Sequence, residues 1–234
     1  MSLPRILGLA SGTPTSGGSG LEKLFEATKN GTLQAKIIGV VCNYPNGGVR
    51  VRADRLGIPF IPFQGPYIEE EYRGIFQRYE PDLVALTGWL KLISGHDPRI
   101  TINIHPGNLT MPGRPDHFGG HNMFGHHVHE ASIEAYRRKV ITHSAACMHF
   151  VSETSSDDKT QYDVGPVFFR HFVHISPEDT AETLAANVNK VEHQHQPGIT
   201  NMVVQGLISW DGKDPTSLQV PERYDIDQYP YTYT

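Results

Sequence analysis

The chain contains little cysteine, few charged residues and no long hydrophobic segment. Its 234 residues include two cysteines, Cys42 and Cys147, and each lies within an apolar run. Two such residues provide neither a disulfide framework nor a zinc-ligand pattern, so we expect buried thiols. No uninterrupted apolar segment approaches the length that crosses a membrane. The first residues lead directly into a predicted strand, without the pattern of a signal peptide. We therefore predict a soluble, cytoplasmic protein.

The charge balance disfavours a protein that coats nucleic acids. Charged residues make up 19% of the chain, and the formal net charge is −5. A local basic patch stays compatible with these values. The length is sufficient to bury a sizeable core and falls within the range of a single domain. Small-molecule substrates are the expected partners, rather than nucleic acid or membrane, and both a monomer and a homodimer remain open.

The first half of the chain alternates predicted strands and helices. The predicted strands are Arg5–Ala10, Ala35–Cys42, Ile58–Phe63 and Asp82–Thr87, and the predicted helices are Leu21–Thr28, Val49–Leu56 and Glu69–Tyr79. Asp82–Thr87 is almost continuously apolar, which is typical of a parallel strand that is covered on both faces. This alternation predicts a doubly wound α/β fold with a mostly parallel, twisted sheet.

The second half has a different pattern. After a loop rich in Gly, Pro and His, the sequence predicts a helix at about Met123–Arg138 and β-type runs at Val140–Ser152 and Val164–His174. A further helix is predicted from Pro177 or Glu178 to about His195. The two β-type runs predict an antiparallel addition to the sheet. Pro197 is expected to break or kink the last helix, with a further turn to Gly206. We predict one domain over residues 1–210, with halves at about 1–100 and 101–210, and a C-terminal tail at 211–234.

A short strand with alternating character carries the first candidate site. In a strand over Ile100–His105, the isoleucines share one face, and the other face carries Thr101, Asn103 and His105. Pro106 cannot donate to a sheet ladder and should end the strand. An amide and an imidazole therefore lie side by side at the end of an apolar strand. Open α/β sheets bind their ligands at this position.

A loop rich in Gly and Ser carries the second candidate site. It covers Ser11–Gly20, between the first predicted strand and the first predicted helix. Backbone N–H groups in such a turn, together with the helix dipole, can bind a phosphate. The residues best placed to do so are Gly17, Gly18, Ser19 and Gly20.

Four blocks of the sequence, taken in order, resemble the glycinamide ribonucleotide formyltransferases of purine biosynthesis. They are Leu9–Gly12 with Gly17–Gly20, Leu86–Ile93, Asn103–Pro106, and His149–Val151 with Asp163–Val167. The resemblance extends from about residue 5 to residue 208. It implies the Rossmann-like formyltransferase fold and transfer of a formyl group from 10-formyltetrahydrofolate, as co-substrate, to the amine of 5-phosphoribosylglycinamide. It implies no metal.

This resemblance implies catalytic roles that fit the chemistry. An amine that attacks a formyl carbon creates an oxyanion, which Asn103 and His105 can stabilise as hydrogen-bond donors. Asp163 can orient and charge-stabilise His105 and relay the proton from the amine to the leaving nitrogen. A turn residue before Gly165–Pro166 is the alternative role for Asp163.

The resemblance also implies binding residues. Glu192, beside His193, is expected to contact the ribose hydroxyls, and a solvated helix charge is an equally good interpretation of it. The loop that follows Gly88 is expected to bind the folate, with Leu90, Lys91, Leu92, Ile93 and Val164. His126 and His149 are expected in or near the pocket.

Three features depart from the family pattern. The phosphate loop is longer, through Thr13–Ser16, and Gly20 stands where the family commonly has Asn. One side-chain contact to the substrate should therefore be absent. An insertion between Val151 and Asp163 lengthens the folate-side loop with Glu153, Asp157, Asp158 and Lys159.

Five histidines close together in the sequence raise the alternative of a metal site. They are His117, His121, His126, His127 and His129. His126 and Glu130 form the one favourable i, i+4 pair, so we expect this segment to shape the substrate pocket instead. Two other functional classes stay open. They are another folate-dependent enzyme (an amino-sugar or tRNA formyltransferase, or a formyltetrahydrofolate hydrolase) and a non-catalytic sugar-phosphate or folate-binding protein.

Overall fold

The computed structural model describes residues 2–153 and 162–229, and these residues contain eight strands and five helices. The strands are β1 (Arg5–Leu9), β2 (Lys36–Cys42), β3 (Phe60–Pro62), β4 (Leu83–Leu86), β5 (Thr101–His105), β6 (His143–Phe150), β7 (Val167–His174) and β8 (Asp227–Gln228). The helices are α1 (Ser19–Asn30), α2 (Gly48–Leu56), α3 (Glu69–Tyr79), α4 (His126–Arg137) and α5 (Ala181–Val204).

All of these strands join one sheet, in the order β3-β2-β1-β4-β5-β6-β7-β8. The pairs from β3 to β5 are parallel, whereas β6 runs antiparallel to both β5 and β7. The predicted doubly wound α/β fold with an antiparallel addition is therefore confirmed. Because the strand order reverses between β1 and β4, the crevice at their carboxyl ends is the expected ligand position of such a sheet.

The central strands are buried because helices cover both faces of the sheet. All four residues of β4 are buried, and so are the last four of β1. One apolar cluster joins the sheet to α1, α2 and α5. A second cluster lies on the other face, where Tyr72 and neighbouring side chains of α3 pack against β1 and β4. This double cover explains the continuous apolar character of the strands.

The strand that carries Asn103 and His105 differs from the prediction in its start and its faces. Ile100 ends a 3₁₀ turn, Pro98–Ile100, and the strand begins at Thr101. Asp97 caps that turn, since its side chain accepts a hydrogen bond from the Arg99 N–H at 2.9 Å. Both faces of the strand are covered, so Thr101 and His105 are as buried as the isoleucines.

Of the two outcomes predicted for Pro197, a break in the last helix does not occur, and the further turn expected toward Gly206 is part of the same helix. Helix α5 continues without interruption from Ala181 to Val204, with Pro197 inside it. Proline removes one backbone hydrogen bond from a helix interior. Here Pro197 is buried between Gln196 and Ile199, so tertiary packing outweighs the local cost.

Other boundaries shift by a few residues. Helix α4 begins at His126 rather than near Met123, because Gly125 has a φ of 54° and interrupts the helix there. The predicted β-type runs shorten to β6 and β7, and β3 is an edge strand that tolerates its prolines. Within the tail, β8 pairs in parallel with β7. The domain boundary at residue 210 stays a prediction.

Both cysteines are buried and free, as predicted. Among the helices in the described parts of the chain, none has the length and apolar character to cross a membrane.

A buried tyrosine links α3 to the loop after β4. The Tyr72 hydroxyl accepts a hydrogen bond from Trp89 Nε1 at 3.1 Å and donates one to the Leu92 carbonyl at 3.0 Å. Tyr72 is fully buried, and its ring packs edge-to-face on Phe63. This contact fixes the loop on which the folate-binding residues were predicted.

We expect Tyr72→Phe to lower the free energy of unfolding by about 1–3 kcal/mol, because it leaves a buried indole N–H without an acceptor and a carbonyl without a donor. Denaturant unfolding measures this. Tyr79→Phe is the matched control on the same helix, since the Tyr79 hydroxyl makes no hydrogen bond to any described residue. Equal stability of the two variants would contradict the linking role of Tyr72.

Candidate active site

A cavity of about 290 Å³ opens at the carboxyl ends of β1, β4 and β5. Its volume is close to the lower end of the range for small-molecule sites. Residues from distant parts of the sequence line it: Ser11, Gly17–Gly20, Thr87–Leu90, Asn103–Pro106, Gly120, Met123–Gly125, Tyr162, Asp163, Asn189, Glu192, His193 and Gln196. The predicted catalytic residues and the predicted phosphate loop therefore line the same cavity.

Two protein acceptors hold the Asn103 side chain at the end of β5. Its Nδ2 lies 3.2 Å from Asp163 Oδ1 and 3.1 Å from His149 Nε2. His149 is buried on β6, directly opposite Asn103, and its Nδ1 lies 2.7 Å from the Phe150 carbonyl. Since Nδ1 must donate to that carbonyl, Nε2 accepts from Asn103 when the ring is neutral. His149 therefore lies behind Asn103 and orients its amide.

His105 is held at both ring nitrogens. Nε2 lies 2.6 Å from the Phe118 carbonyl, and Nδ1 lies 3.4 Å from Asp163 Oδ1. The ring is 4% exposed and contributes to the cavity wall. With an acceptor beside each nitrogen, the geometry favours the doubly protonated, positively charged form.

Asp163 joins these groups from a strained turn. Its Oδ2 accepts a hydrogen bond from the Gly120 N–H at 3.0 Å, and its φ of 56° lies in the left-handed region. Gly165, two residues later, has a φ of 141°, and a Cβ there would lie 1.9 Å from the Phe150 carbonyl oxygen. A turn that passes so close to β6 requires glycine. Asp163 is thus both a turn residue and a member of the candidate site.

The opposite charges of His105 and Asp163 stabilise each other. Burial opposes the charge on each group, but the Asp163 carboxylate raises the pKa of His105 above its ordinary value. The His105 cation and its hydrogen bond to the carboxylate lower the pKa of Asp163 despite its burial. Each group of the pair therefore favours the charged form of the other.

The N-terminus of α1 forms the opposite wall. The residue before the helix, Gly18, has a φ of 79° and supplies no side-chain cap. Gly18, Ser19 and Gly20 line the cavity, so the uncapped first turn of α1, with its unpaired N–H groups, borders it. Ser19 Oγ lies 3.2 Å from His193 Nε2 on α5. The longer part of the loop folds on itself, because Thr13 Oγ1 accepts from the Ser16 N–H at 2.9 Å. The extra residues lie beside the cradle rather than in it.

A polar face of α5 completes this wall. Asn189, Glu192, His193 and Gln196 all line the cavity. Asn189 Nδ2 donates to Glu192 Oε2 at 3.2 Å. Burial raises the pKa of Glu192 to about 7, against the opposing effects of Asn189 and the nearby His105 charge. This placement disagrees with a solvated helix charge.

The predicted folate-binding residues divide between two cavities. Leu90 lines the large cavity, and its N–H donates to Ser11 Oγ at 2.9 Å. A smaller adjoining cavity of about 40 Å³ is lined by Lys91, Leu92 and Ile93, together with His149, Tyr162 and Asp163. Because Asp163 lines both cavities, they meet at its side chain.

Some predicted residues lie elsewhere. His126 is half-exposed at the start of α4, 3.4 Å from Glu130 and 3.5 Å from Glu182, and it does not line the cavity. Val164 is 38% exposed and lines neither cavity. The inserted residues Asp157, Asp158 and Lys159 lie outside the described residues. Among the described residues, no group of three or more His, Cys, Asp or Glu side chains is arranged to hold a metal.

Sequence reasoning missed several residues of the site. Ser11 connects the phosphate loop to the folate-side loop, accepting from Leu90 and donating its own N–H to the Gly88 carbonyl at 3.0 Å. Asn189 and Gln196 flank Glu192 at helical spacings of three and four residues. That spacing on one helix face was the available signal, and the break predicted at Pro197 obscured it.

Comparison with known proteins agrees with this geometry. The formyl transferase domain family matches residues 5–200. The chain is 32% identical over 208 residues to the chloroplastic phosphoribosylglycinamide formyltransferase of Vigna unguiculata, covering 84% of this chain but 61% of the plant protein. It is 27% identical to the phosphoribosylglycinamide formyltransferase of Schizosaccharomyces pombe, covering 75% of this chain and 87% of that protein.

A solved structure shows the same architecture. The phosphoribosylglycinamide formyltransferase of Coxiella burnetii superposes with a TM-score of 0.70 at 25% identity, covering 94% of this chain and 100% of that one. The chain spans about three fifths of the length of the plant relative, and nearly all of the bacterial one. The family match covers most of the chain and includes Asn103, His105, Asp163 and the phosphate loop. The chain belongs to the formyl transferase family.

Proposed function

We propose that this protein transfers the formyl group of 10-formyltetrahydrofolate to the amine of 5-phosphoribosylglycinamide. The observation that carries the proposal is the meeting of Asn103, His105 and Asp163 in one cavity with the N-terminus of α1. A phosphate bound at that helix end would direct the rest of a ribonucleotide toward the three side chains. The relatives that are named for this activity support the same reaction.

In the proposed reaction, the amine nitrogen forms a bond to the formyl carbon, and the bond from that carbon to N10 of the folate breaks. The carbonyl oxygen carries the developing negative charge. The His105 imidazolium and the Asn103 amide are the donors beside it, and for His105 the oxyanion would replace the Phe118 carbonyl or Asp163 as an acceptor. Both Nδ2 hydrogens of Asn103 face protein acceptors in the structure, so the oxyanion would replace Asp163 or His149 as one of those acceptors.

Proton transfer falls to Asp163 in this scheme. The amine loses a proton as the new bond forms, and N10 gains one as it leaves. The Asp163 carboxylate borders both the large and the small cavity, so it can accept the first proton and deliver the second, directly or through water. Its ion pair with His105 keeps it ionised before the reaction.

The binding roles follow the two cavities. We assign the phosphate to Gly17, Gly18, Ser19 and Gly20, the ribose hydroxyls to Glu192, and the folate to the loop Leu90–Ile93 with Val164 at its margin. His126 and His149 stay candidates for the pocket, and the geometry favours His149. Cytoplasmic location, a monomeric or dimeric state and the absence of a metal requirement remain parts of the proposal.

A direct assay tests this function. Purified protein, 10-formyltetrahydrofolate and 5-phosphoribosylglycinamide should produce tetrahydrofolate and formylated ribonucleotide in equal amounts. A parallel reaction without the ribonucleotide measures hydrolysis by water. Release of formate at the same rate in both reactions would contradict the proposal and identify a formyltetrahydrofolate hydrolase.

The variant Asp163→Asn should lower kcat by about 10²–10⁴-fold, because it removes the proton acceptor and the charge that stabilises protonated His105. Asparagine tolerates the left-handed backbone of this turn, so the fold should persist. Asp97→Asn is the control, since Asp97 is a structural carboxylate bound to Arg99 outside the cavity. Single-turnover kinetics and thermal unfolding separate the two variants. Near-normal turnover in Asp163→Asn would make Asp163 a turn residue only.

The pH dependence of substrate binding should report Glu192. Its pKa of about 7 means that the carboxylate fraction falls as the pH drops through neutrality. A carboxylate accepts hydrogen bonds from hydroxyls more strongly than its protonated form, so KM for the ribonucleotide should rise on acidification. Glu192→Gln should have a higher KM, by roughly tenfold or more, and should lose this dependence. An unchanged profile would remove Glu192 from the ribose site.

A further inference from the structure

The side-chain amide of Gln196 occupies the space beside Gly20. A Cβ built on Gly20 would lie 3.1 Å from Gln196 Oε1 and 3.5 Å from the Cβ of Thr87. A side chain at residue 20 would therefore be tightly placed against the amide, which would have to shift by a few tenths of an ångström to admit even a Cβ. Gly20 on α1, which has no side chain, therefore leaves room for the amide of Gln196 on α5.

Gln196 is a buried residue whose amide borders the cavity and has no protein partner among the described residues. The residue is 2% exposed, and its amide makes no hydrogen bond to any residue in the described parts of the chain. It contributes to the wall of the large cavity. Buried amides in folded proteins are almost always hydrogen-bonded, because burial without a partner is unfavourable. A ligand that enters the cavity can supply the missing partner.

The position of this amide indicates which part of a ligand it meets. Gln196 lies one helical turn beyond Glu192 on the same face of α5, next to the first N–H groups of α1. The Gln196 amide borders the same region as those N–H groups, with its Oε1 on the side of Gly20, and a half-turn of the amide presents its NH₂ group there as a further donor. A phosphate presents acceptor oxygens in several directions, so it can satisfy donors from both helices at once.

We propose that Gln196 is a specificity-determining residue, whose amide hydrogen-bonds the phosphate end of the ribonucleotide in the space left free by Gly20. This inference rests on the proposed function and refines its substrate site. Gln196 supplies, from α5, a side-chain contact that α1 lacks because residue 20 is glycine. The contact belongs to substrate binding and not to the chemical step.

The first test replaces the amide with an apolar group of similar size. Gln196→Leu should raise KM for 5-phosphoribosylglycinamide by about tenfold or more, because a hydrogen bond to a charged group is lost. KM for 10-formyltetrahydrofolate and kcat should stay close to wild type. Gln194→Leu is the matched control, since Gln194 is an exposed glutamine on the same helix. Equal kinetics in the two variants would overturn the proposal.

The second test moves the side-chain amide from residue 196 to residue 20. Gly20→Asn should raise KM for the ribonucleotide, because its side chain collides with the Gln196 amide. The double variant Gly20→Asn with Gln196→Ala should recover much of the lost affinity for the ribonucleotide, because the alanine clears the space and the introduced asparagine amide becomes the donor. The single variant Gln196→Ala is the reference. Additive losses in the double variant would overturn the pairing of these positions. Thermal unfolding of each variant identifies any that fail to fold. If one of them does, the kinetics of Gln196→Leu alone decide whether Gln196 binds the substrate.

A binding measurement separates this inference from the proposed reaction. Calorimetric titration with ribose 5-phosphate needs no turnover, and its Kd should increase about tenfold in Gln196→Leu but not in Gln194→Leu. A wild-type protein that binds ribose 5-phosphate through Gln196 but formylates no ribonucleotide would refute the proposed function alone. A protein that catalyses the reaction with equal Kd values in both variants would refute the role of Gln196 alone.

Discussion

The candidate site depends on the buried carboxylate of Asp163, which its neighbours keep ionised. Asp163 is 11% exposed, and burial alone would favour its neutral form. The His105 cation, the Asn103 amide and the Gly120 N–H compensate that cost together. Each of these partners is held in turn by a backbone group or another side chain. Loss of any one would leave a buried charge without full compensation, which is among the costlier changes a protein can undergo.

The sheet determines where this compensation takes place. Parallel strands bring their carboxyl ends to one edge, and the reversal of strand order between β1 and β4 opens a crevice there. β5 places Asn103 and His105 at that crevice, while α1 turns its N-terminus toward it. The antiparallel strand β6 then brings His149 opposite Asn103, and the close passage of Gly165 over Phe150 places Asp163 above both. The antiparallel addition is thus a part of the active site as well as of the fold.

Much of the fold and the centre of the site were predictable because they depend on local patterns. Continuous apolar runs predicted the parallel strands, and the order of strands and helices predicted the doubly wound topology. Asn103 and His105 share one side of a strand because side-chain direction alternates along it. The first N–H groups of α1 follow from a glycine-rich turn before a helix. The structure departs from local preference where packing outweighs it, as at Pro197, where the helix continues unbroken. Sequence also holds no directional information for a residue such as His126, which lies on an exposed first turn.

The sequence by itself determined the strand and helix periodicities, the glycines that permit close turns, and the residue types that formyl transfer requires. Tertiary structure alone decided which of these residues meet. The 3.4 Å approach of His105 to Asp163 joins residues from separate strands and turns, and the approach of Gln196 to Gly20 joins two helices far apart in the chain. Such distances depend on how the elements pack, and hydrophobic burial sets that packing without regard to separation along the sequence. The same packing sets the pKa values of Asp163 and Glu192, since desolvation and neighbouring charge exist only once the cavity has formed.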